Sequence, residues 1–222
     1  MADHLMSGLT ENLGSQSLPP TSWQSQDEQK AEEYLHNAHL PPRHMKTATR
    51  RGAEGWCRAL TMIVGRLQAE DTKGSLLALI GPRGTGKTQL AVEIAKAYVS
   101  FHCKPIKYIK LFGMFLELKE SFNGGSEREV IRNYVNPDLL IIDEIHEKLD
   151  GVWTRGTFTH LIDLRYDAMK PTILIGNVDK KEFAEVVGSS VYSRLTEVGG
   201  IVQCSWDSFR KRGESGERTN SM

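Results

Sequence analysis

One octapeptide, GPRGTGKT at residues 81–88, constrains the fold of this chain more than any other stretch. It satisfies the pattern G-x-x-x-x-G-K-[ST], in which glycines let the backbone bend so that several amide groups point at a bound phosphate. The pattern needs a buried strand before it and a helix after it, because the positive end of that helix helps to hold the anion. The apolar run SLLALIG and the amphipathic segment from Lys87 to about Tyr98 meet both needs. The sequence therefore predicts a phosphate loop.

Further strands and helices alternate after this loop. The other predicted strands are IKYIKLF, DLLIIDE, TILIGN and GIVQCSW, and the predicted helices between them are GMFLELKESF, EREVIRNYV, TRGTFTHLIDLRYDAM and KKEFAEVVG. A further helix is expected before the loop, in RGAEGWCRALTMIVGRLQAE. Alternation of this kind favours a parallel sheet covered by helices on both faces. The chain is therefore expected to form a three-layer α/β nucleotide-binding fold with a parallel five-stranded sheet.

The two ends of the chain differ from this middle part. Residues 1–45 begin with a stretch rich in Ser, Gln, Thr and Pro, and we predict either a flexible arm or an arm that binds a partner such as the helicase, with a short helix in DEQKAEEYLHNAH. Residues 46–212 are expected to form the folded domain. Residues 213–222 lack apolar periodicity and are expected to be a disordered tail.

The charge balance and the cysteines exclude several functional classes. Lys and Arg number 28 against 28 Asp and Glu, so no overall basic field draws the chain onto nucleic acid, and any DNA contact has to be local. The three cysteines, Cys57, Cys103 and Cys204, form no CxxC pair and favour ordinary thiols in a reducing compartment. No apolar run approaches the ~18 residues of a membrane span, so we expect a soluble cytoplasmic protein without a membrane partner.

The phosphate loop predicts a site for ATP and Mg²⁺. The ammonium group of Lys87 would reach the β- and γ-phosphates, and the hydroxyl group of Thr88 would bind the metal. A chance glycine-rich turn is the alternative, but the flanking strand and helix disfavour it. The predicted ATP-binding residues are Gly81, Pro82, Arg83, Gly84, Thr85, Gly86, Lys87, Thr88 and Gln89.

A pair of acids ends a second apolar strand. In LLIIDEIH, Asp143 is placed to bind the metal, most simply through a coordinated water, and Glu144 is placed to polarise the attacking water as a general base. Two acids at a strand end can also cap a helix. Next to a phosphate loop, the pair favours hydrolysis of ATP as well as binding.

Two polar residues further along the chain are candidates for the same site. Asn177 ends the strand TILIGN and could hydrogen-bond the γ-phosphate or the attacking water, although asparagine is also a common turn residue. Arg194, in VVGSSVYSRLTEVGG, is either a helix-end cation or an arginine finger that stabilises the transferred phosphoryl group. Considered alone, Arg194 favours the first interpretation.

Taken in order, GPRGTGKTQLA, PDLLIIDEIH, PTILIGN and VYSRLTEVGGIVQCSWDSFRKR resemble the AAA+ ATPases of the DnaC and IstB group, the bacterial and phage helicase loaders. The resemblance covers roughly residues 45–212 and is most specific at WDSFR, Trp206 to Arg210. It implies that Arg194 acts in trans at the ATP site of a neighbouring subunit, and hence that the chain self-associates. Thr196 stands where loaders often carry a second arginine. The short segment after Arg194 leads us to expect an AAA+ core without a C-terminal helical lid.

The resemblance also implies a surface for single-stranded DNA. Lys119 and Phe122 in LKESF match loader positions that touch single-stranded DNA, and Trp153 in DGVW matches an aromatic one. A lysine suits phosphates, and aromatic rings stack on bases without requiring a sequence. Alternatively, Phe122 and Trp153 are core residues and Lys119 is a solvated charge.

The resulting hypothesis is an ATPase that loads a DnaB-type hexameric replicative helicase onto single-stranded DNA during DNA replication, in a bacterial cell or a phage-infected host. ATP would hold the subunits in register through Arg194, and slow hydrolysis, stimulated by a partner, would release them. One alternative is an IstB-type transposition ATPase that delivers target DNA to a transposase. Another is a scaffold that binds nucleotide without hydrolysing it.

Overall fold

The computed structural model describes residues 22–45, 54–68, 75–147, 149 and 151–209. Residues 1–21 of the predicted arm and the predicted tail at residues 213–222 lie outside the described residues. The described part forms a five-stranded parallel sheet between two layers of helices. This arrangement confirms the predicted three-layer α/β fold.

The helices and strands follow the predicted alternation. The strands are β1 (Leu76–Ile80), β2 (Ile106–Lys110), β3 (Leu139–Asp143), β4 (Thr172–Gly176) and β5 (Gly200–Gln203). The helices are α1 (Ser22–Asn37), α2 (Pro42–Met45), α3 (Glu54–Gln68), α4 (Lys87–His102), α5 (Leu111–Ser121), α6 (Glu127–Val135), α7 (Val152–Asp167) and α8 (Lys180–Val198). Of these helices, none is both long and apolar enough to span a lipid bilayer.

The strand order determines which chain segments meet. The order is β2-β3-β4-β1-β5, and every neighbouring pair is parallel. Ile80 at the end of β1 lies opposite Gly176 at the end of β4, and Lys110 of β2 lies opposite Asp143 of β3. The carboxyl ends of these strands therefore meet at one edge of the sheet, where open α/β sheets usually bind ligands.

The sheet separates two hydrophobic cores, because alternate side chains of a strand point to opposite faces. On β1, Leu77 and Leu79 belong to the core formed with α3 and α4, whereas Leu76, Ala78 and Ile80 belong to the core formed with α5, α7 and α8. The strands β1, β3 and β4 are buried at every residue, as expected for central strands of a sheet covered on both faces.

Helix α8 is longer than the sequence predicted. The predicted helix ended at Gly188, whereas the structure continues to Val198 after one non-helical residue at Gly188, with a φ of 81°. Glycine adopts a positive φ without a steric cost, so the chain turns there and the helix resumes. The second half forms because Val191 and Leu195 are buried in the core beneath it. Arg194 therefore lies inside a helix, one turn before its end.

The described part of the predicted arm, residues 22–45, lies against the domain. The backbone N–H of Tyr108 in the edge strand β2 donates a hydrogen bond to the carbonyl oxygen of Ala38, at 2.8 Å. Ala38 and Leu40 are buried in the core on the α4 side. This segment covers an edge strand whose hydrogen-bonding groups would otherwise face solvent. The domain boundary at residue 46 stays a prediction.

A buried arginine ties helix α7 to the turns at the other end of the sheet. Arg165 is fully buried, and desolvation by burial lowers the pKa of its guanidinium to about 9. The guanidinium donates hydrogen bonds to the Thr172 hydroxyl at 2.8 Å and to the backbone carbonyl oxygens of Tyr134, Val135, Pro137 and Pro171 at 2.9, 3.0, 2.8 and 2.6 Å. Arg165 thus joins the end of α6 to the loop before β4.

We expect Arg165→Leu to lower the free energy of unfolding by roughly 3–5 kcal/mol, because several buried carbonyl groups would lose their donor. Urea unfolding monitored by circular dichroism measures this change. Arg155 on the same helix is exposed and donates to the carbonyl oxygen of Leu149 at 3.1 Å. Arg155→Leu is therefore a matched control, with an expected loss below about 1 kcal/mol. Equal losses for the two variants would contradict the role assigned to Arg165.

Candidate nucleotide-binding site

The phosphate loop follows β1 and leads into α4, as predicted. Gly84 and Gly86 have φ values of 89° and 77°, which L-amino acids with side chains rarely adopt, and α4 begins at the next residue, Lys87. These glycines bend the loop around the first turn of α4, where backbone N–H groups lack partners within the helix. The loop therefore has the form that binds a phosphate group.

Lys87 folds back over this loop. Its Nζ donates hydrogen bonds to the carbonyl oxygens of Gly81 and Pro82 at 2.8 and 2.6 Å, and the residue is 4% exposed. The Thr85 hydroxyl donates to the same Pro82 oxygen at 3.0 Å, which stiffens the turn. The ammonium group is thus held inside the curve of the loop, close to where the loop would hold phosphates.

Asp143 at the end of β3 meets the first turn of α4. The hydroxyl groups of Thr88 and Tyr108 each donate a hydrogen bond to Asp143 Oδ2 at 2.8 Å, and the backbone N–H of Glu144 donates to Oδ1 at 2.7 Å. Hydroxyl and carboxylate oxygens are the ligands that Mg²⁺ prefers. Because the structure brings Thr88 and Asp143 into contact beside the loop, this donor set fits the predicted metal.

Tyr108 was not predicted to belong to the site. Burial and the nearby carboxylate of Asp143 raise the pKa of its phenol, which therefore stays a neutral hydrogen-bond donor. The alternation in IKYIK points Tyr108 inward, and the pairing of Tyr108 with Ile141 places it two residues from Asp143 along the neighbouring strand. That alternation is the signal that could have identified Tyr108, once the strand order was known.

Glu144 has an unusual backbone and a basic neighbour. Its φ is 59°, in the left-handed region, which is uncommon for residues other than glycine and often found at functional sites. Its carboxylate forms an ion pair with Lys110 at the end of β2, with 2.9 Å between Nζ and Oε1. Both side chains are partly exposed. In this conformation the predicted general base is held by Lys110.

Asn177 lies at the same sheet edge. It follows β4 directly, and the pairing of Gly176 with Ile80 puts it beside the start of the phosphate loop. Its backbone N–H donates to Nδ1 of His146 at 3.3 Å, and its side chain is half-buried. The structure therefore places Lys87, Thr88, Asp143, Glu144 and Asn177 at one edge of the sheet, and their roles toward a nucleotide stay predictions.

Gln89 faces away from the loop. Its side chain is 2% exposed and donates hydrogen bonds to the carbonyl oxygen of His44 and the carboxylate of Glu93, both at 2.9 Å. Any contact of Gln89 with a nucleotide would therefore come from its backbone. Its side chain instead attaches the segment around His44 to α4.

Three aromatic residues donate hydrogen bonds to backbone carbonyl groups of the phosphate loop. The indole N–H groups of Trp56 and Trp206 donate to the carbonyl oxygens of Gly86 and Thr85 at 3.2 and 2.7 Å. The backbone N–H of Phe209 donates to the carbonyl oxygen of Gly84 at 2.9 Å. Trp56 was predicted only as part of the helix before the loop, Trp206 only as the end of the last strand and part of the family resemblance, and Phe209 only as part of that resemblance. These contacts orient the loop so that its N–H groups face the opposite way.

Arg194 is held within its own subunit by three neighbours. Its guanidinium forms an ion pair with Asp163 at 3.1 Å, lies 5.4 Å from the ring centre of Tyr166, and donates hydrogen bonds to the backbone and side chain of Ser190. None of these partners belongs to the predicted nucleotide site. The side chain is 27% exposed, so part of it faces outwards.

The three predicted DNA-binding residues lie at one surface. The rings of Phe122 and Trp153 meet edge to face with centroids 5.8 Å apart, and Phe122 is 57% and Trp153 36% exposed. Lys119, on the last turn of α5, is exposed as well. This exposure contradicts the alternative in which Phe122 is a core residue. The role of the three in DNA binding stays a prediction.

The family model described as IstB-like ATP binding protein matches residues 25–216. The replicative helicase loader DnaC of Escherichia coli strain K12 is 28% identical over 164 residues, which span 72% of this chain and 66% of the relative. The chain thus spans just under two thirds of that relative's length.

Solved structures agree on the fold. The crystal structure of the DnaC helicase loader has a TM-score of 0.61 and 22% sequence identity, and covers 76% of this chain and 97% of its own. The crystal structure of DnaI has a TM-score of 0.63 and 19% identity, and covers 78% of this chain and 95% of its own. These likenesses concern the fold. The family model matches most of the chain, at residues 25–216, and the chain therefore belongs to the IstB-like ATP binding protein family.

Proposed function

We propose that this chain hydrolyses ATP and, as an assembly of several copies, loads a DnaB-type replicative helicase onto single-stranded DNA. One observation carries the ATPase part: the Thr88 hydroxyl meets Asp143 at 2.8 Å beside the phosphate loop, and Glu144 follows directly in a strained backbone conformation. This arrangement supports a hydrolytic site, because Asp143 can hold the metal for binding whereas Glu144 beside it is needed only to activate a water.

In the proposed reaction each residue has a separate task. The loop amides and Lys87 bind and orient the phosphates, and Glu144 accepts the proton of the attacking water once it leaves Lys110. Asn177 orients that water or the γ-phosphate. Thr88 and Asp143 would hold Mg²⁺, which when bound offsets charge on the phosphates. Arg194 of a neighbouring subunit would stabilise charge on the transferred phosphoryl group.

The loader part of the proposal is supported by the likeness to DnaC of Escherichia coli, a replicative helicase loader. The exposed pair Phe122 and Trp153, with Lys119 nearby, supports contact with single-stranded DNA, since rings and a cation suit bases and phosphates. ATP would hold neighbouring subunits together through Arg194. Hydrolysis, slow in isolation and faster with a partner, would release them.

The test is a pull-down with immobilised oligo-dT and the replicative helicase from the same replication system, with ATP, ADP or no nucleotide. We expect retention of the chain and of the helicase with ATP and Mg²⁺, and loss of both with ADP. Absence of binding to helicase and to DNA under every condition would overturn the loader function.

A second candidate is a transposition ATPase of the IstB type, and the description of the matching family model favours it. Such a protein would hand target DNA to a transposase. Preference for duplex over single-stranded DNA in the pull-down would favour this candidate, as would a transposase gene next to the gene for this chain.

We expect Trp153→Ala to weaken binding to oligo-dT about 10- to 100-fold, because stacking of a base on an aromatic ring contributes about 1–3 kcal/mol. Phe122→Ala should have a similar effect, since its ring supports that of Trp153. Electrophoretic mobility shifts at fixed salt measure both. Phe101 on α4 is as exposed as Phe122, at 57%, so Phe101→Ala is the matched control and should bind normally. Normal binding by Trp153→Ala and Phe122→Ala would remove this surface from the proposal.

A further inference from the structure

Helix α3 touches two functional elements that lie far apart in the sequence. At its N-terminal end, Trp56 donates a hydrogen bond to the carbonyl oxygen of Gly86 in the phosphate loop. At its C-terminal end, Arg66 donates to the carbonyl oxygens of Val198 and Gly199, where the helix carrying Arg194 ends. One continuous helix therefore joins the subunit's own phosphate loop to the helix that bears its arginine finger.

Arg66 fixes the last turn of α8. Its Nη1 lies 3.0 Å from the Gly199 oxygen and its Nη2 lies 3.2 Å from the Val198 oxygen. The last carbonyl groups of a helix have no partner within the helix and carry its negative dipole end, so a guanidinium there is favourable. Arg194 lies one turn earlier, so the position of this turn sets the position of the Arg194 backbone.

The turn after α8 is also fixed from the side of the sheet. A Cβ atom placed on Gly199 would lie only 1.5 Å from the carbonyl oxygen of Leu76 in β1, so the two backbones are in direct contact. Arg66 holds this turn from the solvent side and Leu76 from the sheet side. The helix end therefore has a defined position relative to the phosphate loop that follows β1.

The N-terminal end of α3 packs against the aromatic residues that hydrogen-bond to the phosphate loop. A Cβ atom on Gly55 would lie 3.0 Å from the Trp206 ring, and one on Gly86 would lie 3.4 Å from the Trp56 indole nitrogen. Close contacts of this kind leave little room for α3 to shift without moving the loop. A helix transmits a displacement along its axis because its backbone hydrogen bonds keep its length constant.

We propose that Arg66 is a positioning residue for Arg194. In this proposal, α3 couples the conformation of a subunit's own phosphate loop to the position of the arginine finger that this subunit presents to its neighbour. This inference rests on the proposed role of Arg194 in trans. Asp163, Ser190 and Tyr166 contact the Arg194 side chain within the chain, whereas Arg66 contacts the end of the helix that carries it. Neither acceptor of the Arg66 guanidinium, Val198 or Gly199, belongs to the subunit's own predicted ATP site.

The first measurement separates turnover from binding. Arg66→Ala should lower the kcat of oligo-dT-stimulated phosphate release about tenfold, because a small misplacement of a catalytic group has an effect of that size. KM for ATP, and nucleotide affinity by equilibrium dialysis, should stay within about twofold. Arg66→Lys should recover part of the rate, because an ammonium group can still reach one of the carbonyl oxygens.

Arg58→Ala is the matched control. Arg58 is another exposed arginine on α3, two turns before Arg66, and neither of the two hydrogen bonds from α3 to the end of α8 involves it. We expect this variant to have the wild-type kcat and melting temperature. An equal loss of kcat in Arg58→Ala and Arg66→Ala would overturn the proposal, since the effect would then not come from the end of α8.

Mixed assemblies give the sharper test. Glu144→Gln subunits keep the finger but lack the base, and Arg194→Ala subunits keep the base but lack the finger, so phosphate release should appear only when the two are mixed. Adding Arg66→Ala to the Glu144→Gln subunits should lower this release about tenfold. Adding it to the Arg194→Ala subunits should leave the release unchanged, because their finger is already absent.

The outcomes are distinguishable. If the mixture is active and Arg66→Ala in the Glu144→Gln subunits does not change its rate of phosphate release, the role of Arg66 is overturned and the trans finger stays intact. The same holds for a mixture that loses activity equally whichever subunit carries the substitution. A mixture that is inactive even with Arg66 present, although the wild type is active, overturns the trans finger itself and the inference with it.

Discussion

Replacing Arg194 by alanine is expected to lower partner-stimulated ATP hydrolysis about 10³-fold while ATP affinity stays unchanged. The guanidinium stabilises charge that develops on the transferred phosphoryl group, so its loss affects the transition state more than the bound nucleotide. Because the finger is proposed to act on a neighbouring subunit, binding of ATP to a single chain does not involve it. Phosphate release with oligo-dT and helicase measures the rate, and equilibrium dialysis of the isolated chain measures the affinity.

The control for Arg194→Ala addresses its contacts inside the subunit. Asp163→Asn removes the ion pair with Arg194 but leaves the guanidinium in place. If Arg194 is a finger, Asp163→Asn should retain most of the rate, because the guanidinium still reaches the neighbouring site. If Arg194 only stabilises its own helix, both variants should hydrolyse ATP at the wild-type rate and differ only modestly in melting temperature. That result would return Arg194 to the role of a helix-end cation.

Glu144→Gln is expected to lower hydrolysis about 10²- to 10⁴-fold, the usual contribution of a general base. The amide has nearly the same shape as the carboxylate but cannot accept a proton from the attacking water. ATP binding should persist, since Lys87, Thr88 and Asp143 are unchanged. The variant should therefore accumulate in the ATP-bound assembly, which size-exclusion chromatography with ATP and oligo-dT would detect.

Lys110→Ala separates two effects of the Glu144 substitution. Glu144→Gln removes the base and also weakens the ion pair with Lys110, whereas Lys110→Ala breaks the pair and keeps the base. Lys110→Ala should therefore hydrolyse ATP at least as fast as the wild type without partners. Unchanged phosphate release by Glu144→Gln would remove Glu144 from the role of base. No release from the wild type with any partner would favour the nucleotide-dependent scaffold.

The local patterns of the sequence predicted the fold and the central residues of the candidate site. A phosphate-loop pattern between a strand and a helix leaves few alternatives, and strands followed by polar residues place Asp143 and Asn177 at the end of the sheet. Parallel strands bring those ends to one edge whatever their order. This is why Thr88 and Asp143, separated by 55 positions and both predicted to lie at one metal ion, are close together in the structure.

Such local patterns could not predict long-range contacts between side chains. The braces from Trp56 and Trp206 depend on where α3 and the segment after β5 lie relative to the loop, which no local periodicity encodes. The position of Tyr108 beside Asp143 needs the strand order. The continuation of α8 past Gly188 was missed because glycine usually ends a helix, and the buried Val191 and Leu195 outweigh that tendency.

The positions of the tryptophans allow intrinsic fluorescence to report on ligand binding. Trp56 and Trp206 touch carbonyl groups of the phosphate loop, and Trp153 lies on the surface proposed for DNA. Indole emission depends on its surroundings, so the unlabelled protein carries one set of emitters at each of its two proposed binding sites. With Trp23 and Trp153 replaced by phenylalanine, the remaining emission would follow nucleotide at the loop.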